Sequence, residues 1–148
     1  MGQLINLTAS DGHKLSAYEA NVGGAPKAGL VVIQEIFGVN AHVREVCDGF
    51  AANGYLAIAP ALFDRAERDV ELGYEEEDRQ KGMSLRENID WNENIKDAIA
   101  AREAISSAGK VGIVGYCFGG TVAWLGGCSN RFDAAVGYYG GFIHNLLD

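Results

Sequence analysis

The sequence predicts an α/β fold, a mostly parallel β-sheet with helices on both faces, on three observations. Short continuous apolar runs alternate with stretches whose apolar residues recur every three or four positions, the pattern of buried strands joined by crossover helices. One of the later runs turns abruptly into a helix through Gly115–Gly120. A chain of 148 residues, 48% of them hydrophobic, also has the size of one compact domain that buries most of its apolar surface, so a single domain over residues 1–148 is expected.

The elements follow in order. Gln3 to Thr8 and Lys14 to Glu19 alternate apolar and polar residues about Asp11-Gly12, a β-hairpin. After a loop from Val22 to Pro26 comes GLVVI, Gly29 to Ile33, a strand ending in Gln34-Glu35. Asn40 is a good N-cap for a helix with apolar positions Val43, Val46, Cys47 and Phe50, and Gly54 ends it. YLAIAP is a further buried strand, closed by Pro60. The charged segment Phe63 to Glu87, with Glu75-Glu76-Glu77-Asp78 inside it, reads as a helix and loop in which most of the charges are solvated. Trp91, Ile95, Ala98, Ile99, Arg102 and Ile105 mark a second long helix ending before Gly109. Lys110 to Gly115 is the next strand, followed by the GYCFGG turn, a short helix through Leu125 and a last strand near Phe132 to Tyr139. There is no internal repeat or linker.

Composition narrows the function classes. A formal charge of −8 repels phosphate backbones and anionic lipid surfaces, which argues against nucleic-acid and membrane partners and leaves small molecules. The cysteines, at positions 47, 117 and 128, have neither CxxC nor Cys/His spacing, so no disulfide framework and no metal site is expected, and a reducing cytoplasm is the natural setting. The amino terminus lacks a signal sequence. Met1-Gly2 is followed by Asn6 where a myristoylation motif needs Ser or Thr. The most apolar run, Ala28 to Val39, is interrupted by Gln34 and Glu35 and is too short to span a bilayer.

Gly115-Tyr116-Cys117-Phe118-Gly119 carries the chemistry. A nucleophile between a strand end and a helix start adopts a strained backbone, and the residues two before and two after must be small. With glycine at 20 of 148 positions, a given cysteine has glycine at both offsets by chance only about 2% of the time. The helix amino terminus would favour a thiolate, and the amide of Phe118 could donate to an oxyanion, with the amide of Ile36 as a second donor. Glu35 directly follows an apolar strand and needs solvent or a polar partner at that edge. Cys47 lies on its helix's apolar stripe and is expected to pack. Packing is also the default for Tyr138 and Tyr139.

QEIFGVNAHVREVCDGFAANGYLAIAP followed by VGIVGYCFGG resembles the dienelactone hydrolase, or carboxymethylenebutenolidase, family over nearly the whole chain. The resemblance implies an α/β-hydrolase-like fold that opens cyclic dienelactones to maleylacetate during breakdown of chlorinated aromatics, without a cofactor. It assigns the nucleophile to Cys117 and a regulatory glutamate to Glu35, and Arg79 resembles an arginine that holds the substrate carboxylate. Family order is nucleophile, acid, histidine, the last two on strands later than any predicted here. The sheet is therefore expected to be incomplete at its carboxyl-terminal side, and the chain alone to hydrolyse feebly. His13 and His42 fall in the hairpin and at a helix start. His144 follows the last strand but precedes the family's acid position, and Asp133 begins a strand at the wrong end. The alternative is a non-catalytic binding or assembly subunit, pairing through an unfinished edge with a second copy or a complementing carboxyl-terminal fragment.

Overall fold

The computed structural model describes residues 2–21 and 23–147. Met1 of the myristoylation motif and Val22 of the predicted loop lie outside them. The predicted elements form in the predicted order: β1 (Gln3–Thr8), β2 (Lys14–Ala20), β3 (Gly29–Ile33), α1 (Ala41–Ala52), β4 (Leu56–Pro60), α2 (Glu76–Glu87), α3 (Trp91–Ala104), β5 (Val111–Tyr116), α4 (Phe118–Cys128) and β6 (Ala134–Tyr138). The six strands make one sheet in the order β1-β2-β4-β3-β5-β6. β1, β2 and β4 pair antiparallel, whereas β4, β3, β5 and β6 run parallel.

Alternation along the strands divides the core into two layers. Val31, Ile33, Leu56, Ile58, Val111 and Ile113 join the layer containing Ala98 and Ala101 of α3 and Val122 of α4. Val32, Ala57, Ala59 and Val114 meet Val43, Cys47 and Ala51 of α1 in the other. Each fully buried Val or Ile side chain stabilises the fold by about 2 kcal/mol. Both faces of the central strands are thus apolar, which is why these runs are continuous rather than alternating. The edge strand β6 is exposed along its length.

Local signals explain the helix boundaries. Asn40 accepts from the Val43 N–H at 3.2 Å, while its amide donates to the Leu72 carbonyl and the Tyr74 hydroxyl, each at 3.2 Å. The cap therefore also ties α1 to the segment before α2. α3 starts with a capping box, Asp90 accepting from its first turn and Glu93 accepting from the Asp90 N–H at 2.9 Å.

The segment from Phe63 is solvated at most of its charges, as expected, but Phe63 and Asp64 are buried and only 9% of the Arg65 side chain is exposed. One expectation needs correction. The predicted face of α3 is rotated. Asn94, Asp97, Ala98 and Ala101 point inward, whereas Ile95 and Ile99 are half-buried. The cause is an ion pair that crosses the fold, in which Arg65 donates to Asp97 at 2.8 and 2.7 Å and to Asp11 at 3.0 and 3.2 Å. Helical periodicity counts apolar residues and misses a helix whose inward stripe includes a paired carboxylate.

Candidate active site

Cys117 stands between the last residue of β5 and the first of α4 with φ 58° and ψ −125°, backbone that a side-chain-bearing residue adopts only when its surroundings hold it there. Two glycines permit this. A Cβ at Gly115 would strike the Gly119 carbonyl, and one at Gly119 would strike the carbonyls of Gln34 and Ile33. The second contact seats the start of α4 directly on the end of β3, which brings the sulfur's turn beside Glu35. Beneath it the Phe118 ring is buried, stacked 6.0 Å from Phe63 and tilted against Trp91 at 6.1 Å. The Cys117 N–H donates to the Tyr138 carbonyl at 3.1 Å, so the ends of β3, β5 and β6 converge on one residue.

The sulfur is half-buried and in no disulfide. Burial pushes the Cys117 thiol above its ordinary value, the Phe118 amide opposes this, the negative charge of Glu35 adds to it, and Arg79 pulls it back. The helix amino terminus acts in the expected direction through the Phe118 amide, but desolvation together with Glu35 outweighs it, so the net displacement of the thiol is upward. Cys47 is fully buried and its thiol is pushed up to about 12, by burial first and then by Asp48, which makes it a packing residue. Cys128 is exposed at the end of α4.

The loop after β3 holds the other predicted residues. Gln34 is fully buried; its side chain accepts from the Leu62 N–H and donates to the Glu35 carbonyl, both at 3.1 Å. Sequence reasoning passed over Gln34, although a buried amide ending an apolar strand demands partners as strictly as the carboxylate beside it. The Glu35 carbonyl is thereby fixed, and the trans peptide directs the Ile36 N–H the opposite way. Among the described residues that N–H meets no acceptor. The loop is clamped from outside by the Leu72 N–H on the Phe37 carbonyl at 2.9 Å and by α2, whose Gly82 packs so closely on the Ile36 carbonyl that a side chain would collide.

That contact places α2, and with it Arg79, where its charge reaches the sulfur. Among the described residues Arg79 and Arg86 are the arginines without a carboxylate partner, and Arg86 instead lies 4.6 Å over the Trp91 ring and 4.1 Å over the Phe142 ring. The packing default for Tyr138 and Tyr139 is overturned. Both are exposed; Tyr138 stacks on Tyr116 at 5.3 Å and Tyr139 donates to Glu35 Oε1 at 3.0 Å. No histidine among the described residues hydrogen-bonds or ion-pairs with Cys117 or Glu35. Asp133 accepts from the Val111 N–H at 2.8 Å, at the far end of β5.

A parallel sheet of this order, with a strained cysteine on the turn from β5 to α4, defines an α/β-hydrolase-like protein. The family model for the dienelactone hydrolase family matches residues 15–148, and the chain belongs to that family. The carboxymethylenebutenolidases of Pseudomonas putida and Pseudomonas knackmussii are each 38% identical to it over 141 residues, covering 92% of this chain and 60% of theirs. The chain therefore spans about three-fifths of the length of these curated relatives. The solved structure named m3DLH is 28% identical, with a TM-score of 0.65 over 87% of this chain and 54% of that one. No helix among the described residues is long and apolar enough to cross a membrane.

Proposed function

We propose that this chain carries the nucleophile half of a hydrolase that opens a lactone or ester at Cys117. The reading rests above all on the position of that sulfur, held at φ 58° on a strand-to-helix turn with an amide donating to it and charges of both signs acting on it. In the reaction the sulfur, once deprotonated, bonds to the carbonyl carbon and the carbonyl oxygen becomes anionic. The Phe118 and Ile36 amides, neither of which is engaged by a backbone acceptor among the described residues, receive it. The carbon–oxygen single bond then breaks, the alkoxide leaves and takes up a proton, and water hydrolyses the thioester.

Glu35, the carboxylate whose charge acts on Cys117, accepts the thiol proton. Arg79, without a carboxylate partner among the described residues in a chain of net charge −8, attracts a substrate carboxylate. The substrate class is a carboxylate-bearing lactone or ester of the kind produced in breakdown of aromatic rings, and three free cysteines suit a reducing cytoplasm. Deacylation needs a base that no described histidine supplies at Cys117, so this polypeptide alone is expected to acylate faster than it turns over.

The experiment is alkylation with a small excess of iodoacetamide, mapped by peptide mass across pH 6 to 11. Because Cys128 is exposed, it is first replaced by Ser; Cys117 is then expected to label ahead of the buried Cys47, with a midpoint above the ordinary thiol range because burial and Glu35 both disfavour the thiolate. In that Cys128→Ser background, labelling of Cys47 while Cys117 stays intact overturns the reading. A second reading, association through β6 with another copy or a carboxyl-terminal segment, is favoured by the exposure of Val136 and Tyr138 on that edge. Sedimentation at several concentrations separates the two, because a monomer at every concentration argues against assembly.

A further inference from the structure

Tyr139 lies one residue beyond β6 with φ 40°, among the few non-glycine residues of positive φ in the chain, and its side chain is 66% exposed. Neither feature serves packing. A tyrosine held in left-handed backbone at the surface is strained for no gain in buried area, yet its hydroxyl donates at 3.0 Å to Glu35, a residue 104 positions earlier. The backbone carrying it is fastened to the nucleophile's turn. The Cys117 N–H donates to the Tyr138 carbonyl, and that same carbonyl lies so close to Gly120 that a side chain there would collide. Tyr139 thus cannot drift from Glu35 without disturbing the turn that presents the sulfur.

We propose that Tyr139 is a positioning residue, whose phenol anchors the Glu35 carboxylate and fixes how strongly that carboxylate acts on the Cys117 thiol. This rests on Cys117 being the nucleophile. A carboxylate has two oxygens, and the phenol occupies Oε1. So held, Glu35 has part of its charge satisfied elsewhere and acts on the sulfur from a set position. Without the phenol the carboxylate is free to move toward the sulfur on which its charge already acts, and a negative charge closer to a thiol favours the protonated form. The Tyr139 phenol is itself pushed up to about 12, by burial first and then by the hydrogen bond and charge of Glu35. Below that pH it remains a donor. The groups acting on Cys117 are Phe118 from α4, Glu35 from the loop after β3 and Arg79 from α2. Those acting on Tyr139 are Glu35, Cys117 and Tyr116. Glu35 is the carboxylate common to both.

The test uses the full chain and three variants, Tyr139→Phe, Glu35→Gln and the two combined, with iodoacetamide labelling of Cys117 followed against pH. Tyr139→Phe is expected to raise the midpoint by about half a unit, a roughly threefold slower labelling at any pH below it. Glu35→Gln is expected to lower the midpoint, and adding Tyr139→Phe to Glu35→Gln should then change nothing. A structural role for the tyrosine would alter thermal stability and move the midpoint with or without Glu35. The proposal is overturned if Tyr139→Phe leaves the midpoint in place, or moves it equally in the Glu35→Gln background. If Cys117 stays intact while the buried Cys47 labels, the nucleophile reading and this one fall together. If the chain labels at Cys117 with a midpoint indifferent to Tyr139, only this one does.

Discussion

Arg65 follows β4 and Arg79 lies in the second turn of α2, both inside the charged segment between β4 and α3. Arg65 is nearly enclosed. It donates to Asp97, whose side chain is fully buried, and to Asp11, with Glu93 3.6 Å away. Burial works against its charge, but the carboxylates hold it protonated and in turn pull Asp11 down to about 2. Arg79 is exposed, has no carboxylate partner among the described residues, and acts instead on the sulfur of Cys117. In a chain with an excess of acids, an arginine left without one is the more informative of the two. A closed ion cluster fixes the fold, whereas an unpaired cation acting on a half-buried thiol is available to a ligand.

The widest separation between the two regions comes from Asp97→Ala. It leaves the Arg65 guanidinium buried with Asp11 as its remaining close partner, and removal of one member of a buried pair destabilises by about 3 kcal/mol or more. Urea unfolding followed by circular dichroism measures this. The protein that remains folded should label at Cys117 with an unchanged pH midpoint, because Asp97 does not act on the sulfur. A loss under about 1 kcal/mol would mean that Asp11 and solvent suffice for Arg65, and that the cluster is as open as the site.

The sequence discloses these regions unequally, for a physical reason. The hairpin about Asp11-Gly12, the runs GLVVI and YLAIAP, the Asn40 cap and the strained turn at Cys117 are all written in neighbouring residues. Their periodicity, capping chemistry and glycine spacing are local. Glu35 was also legible, since a carboxylate ending an apolar strand must find a partner. Which partner it finds was not. Tyr139 reaches it from 104 residues away, and Arg65 reaches Asp97 from 32, distances at which no spacing rule operates. Gln34 is harder to read, because an uncharged amide does not announce the need for partners that full burial imposes on it.

The smallest effect is the sharpest test of the open side. Arg79→Gln removes an exposed side chain with no carboxylate partner among the described residues, so unfolding free energy should change by less than about 0.5 kcal/mol. The charge at the sulfur nonetheless changes. Arg79 draws the Cys117 thiol downward, so its loss leaves burial and Glu35 less opposed, and the labelling midpoint should rise by about 0.3 unit at low salt. Because Arg79 is exposed, the difference between parent and variant should shrink as salt rises and the Debye length falls below about 5 Å. A midpoint that stays put at low salt would place Arg79 outside the field of the Cys117 sulfur, and would remove the support for the proposed cationic subsite. A shift that persists undiminished in high salt would mean that the guanidinium acts through packing of α2 on the Ile36 loop rather than through its charge.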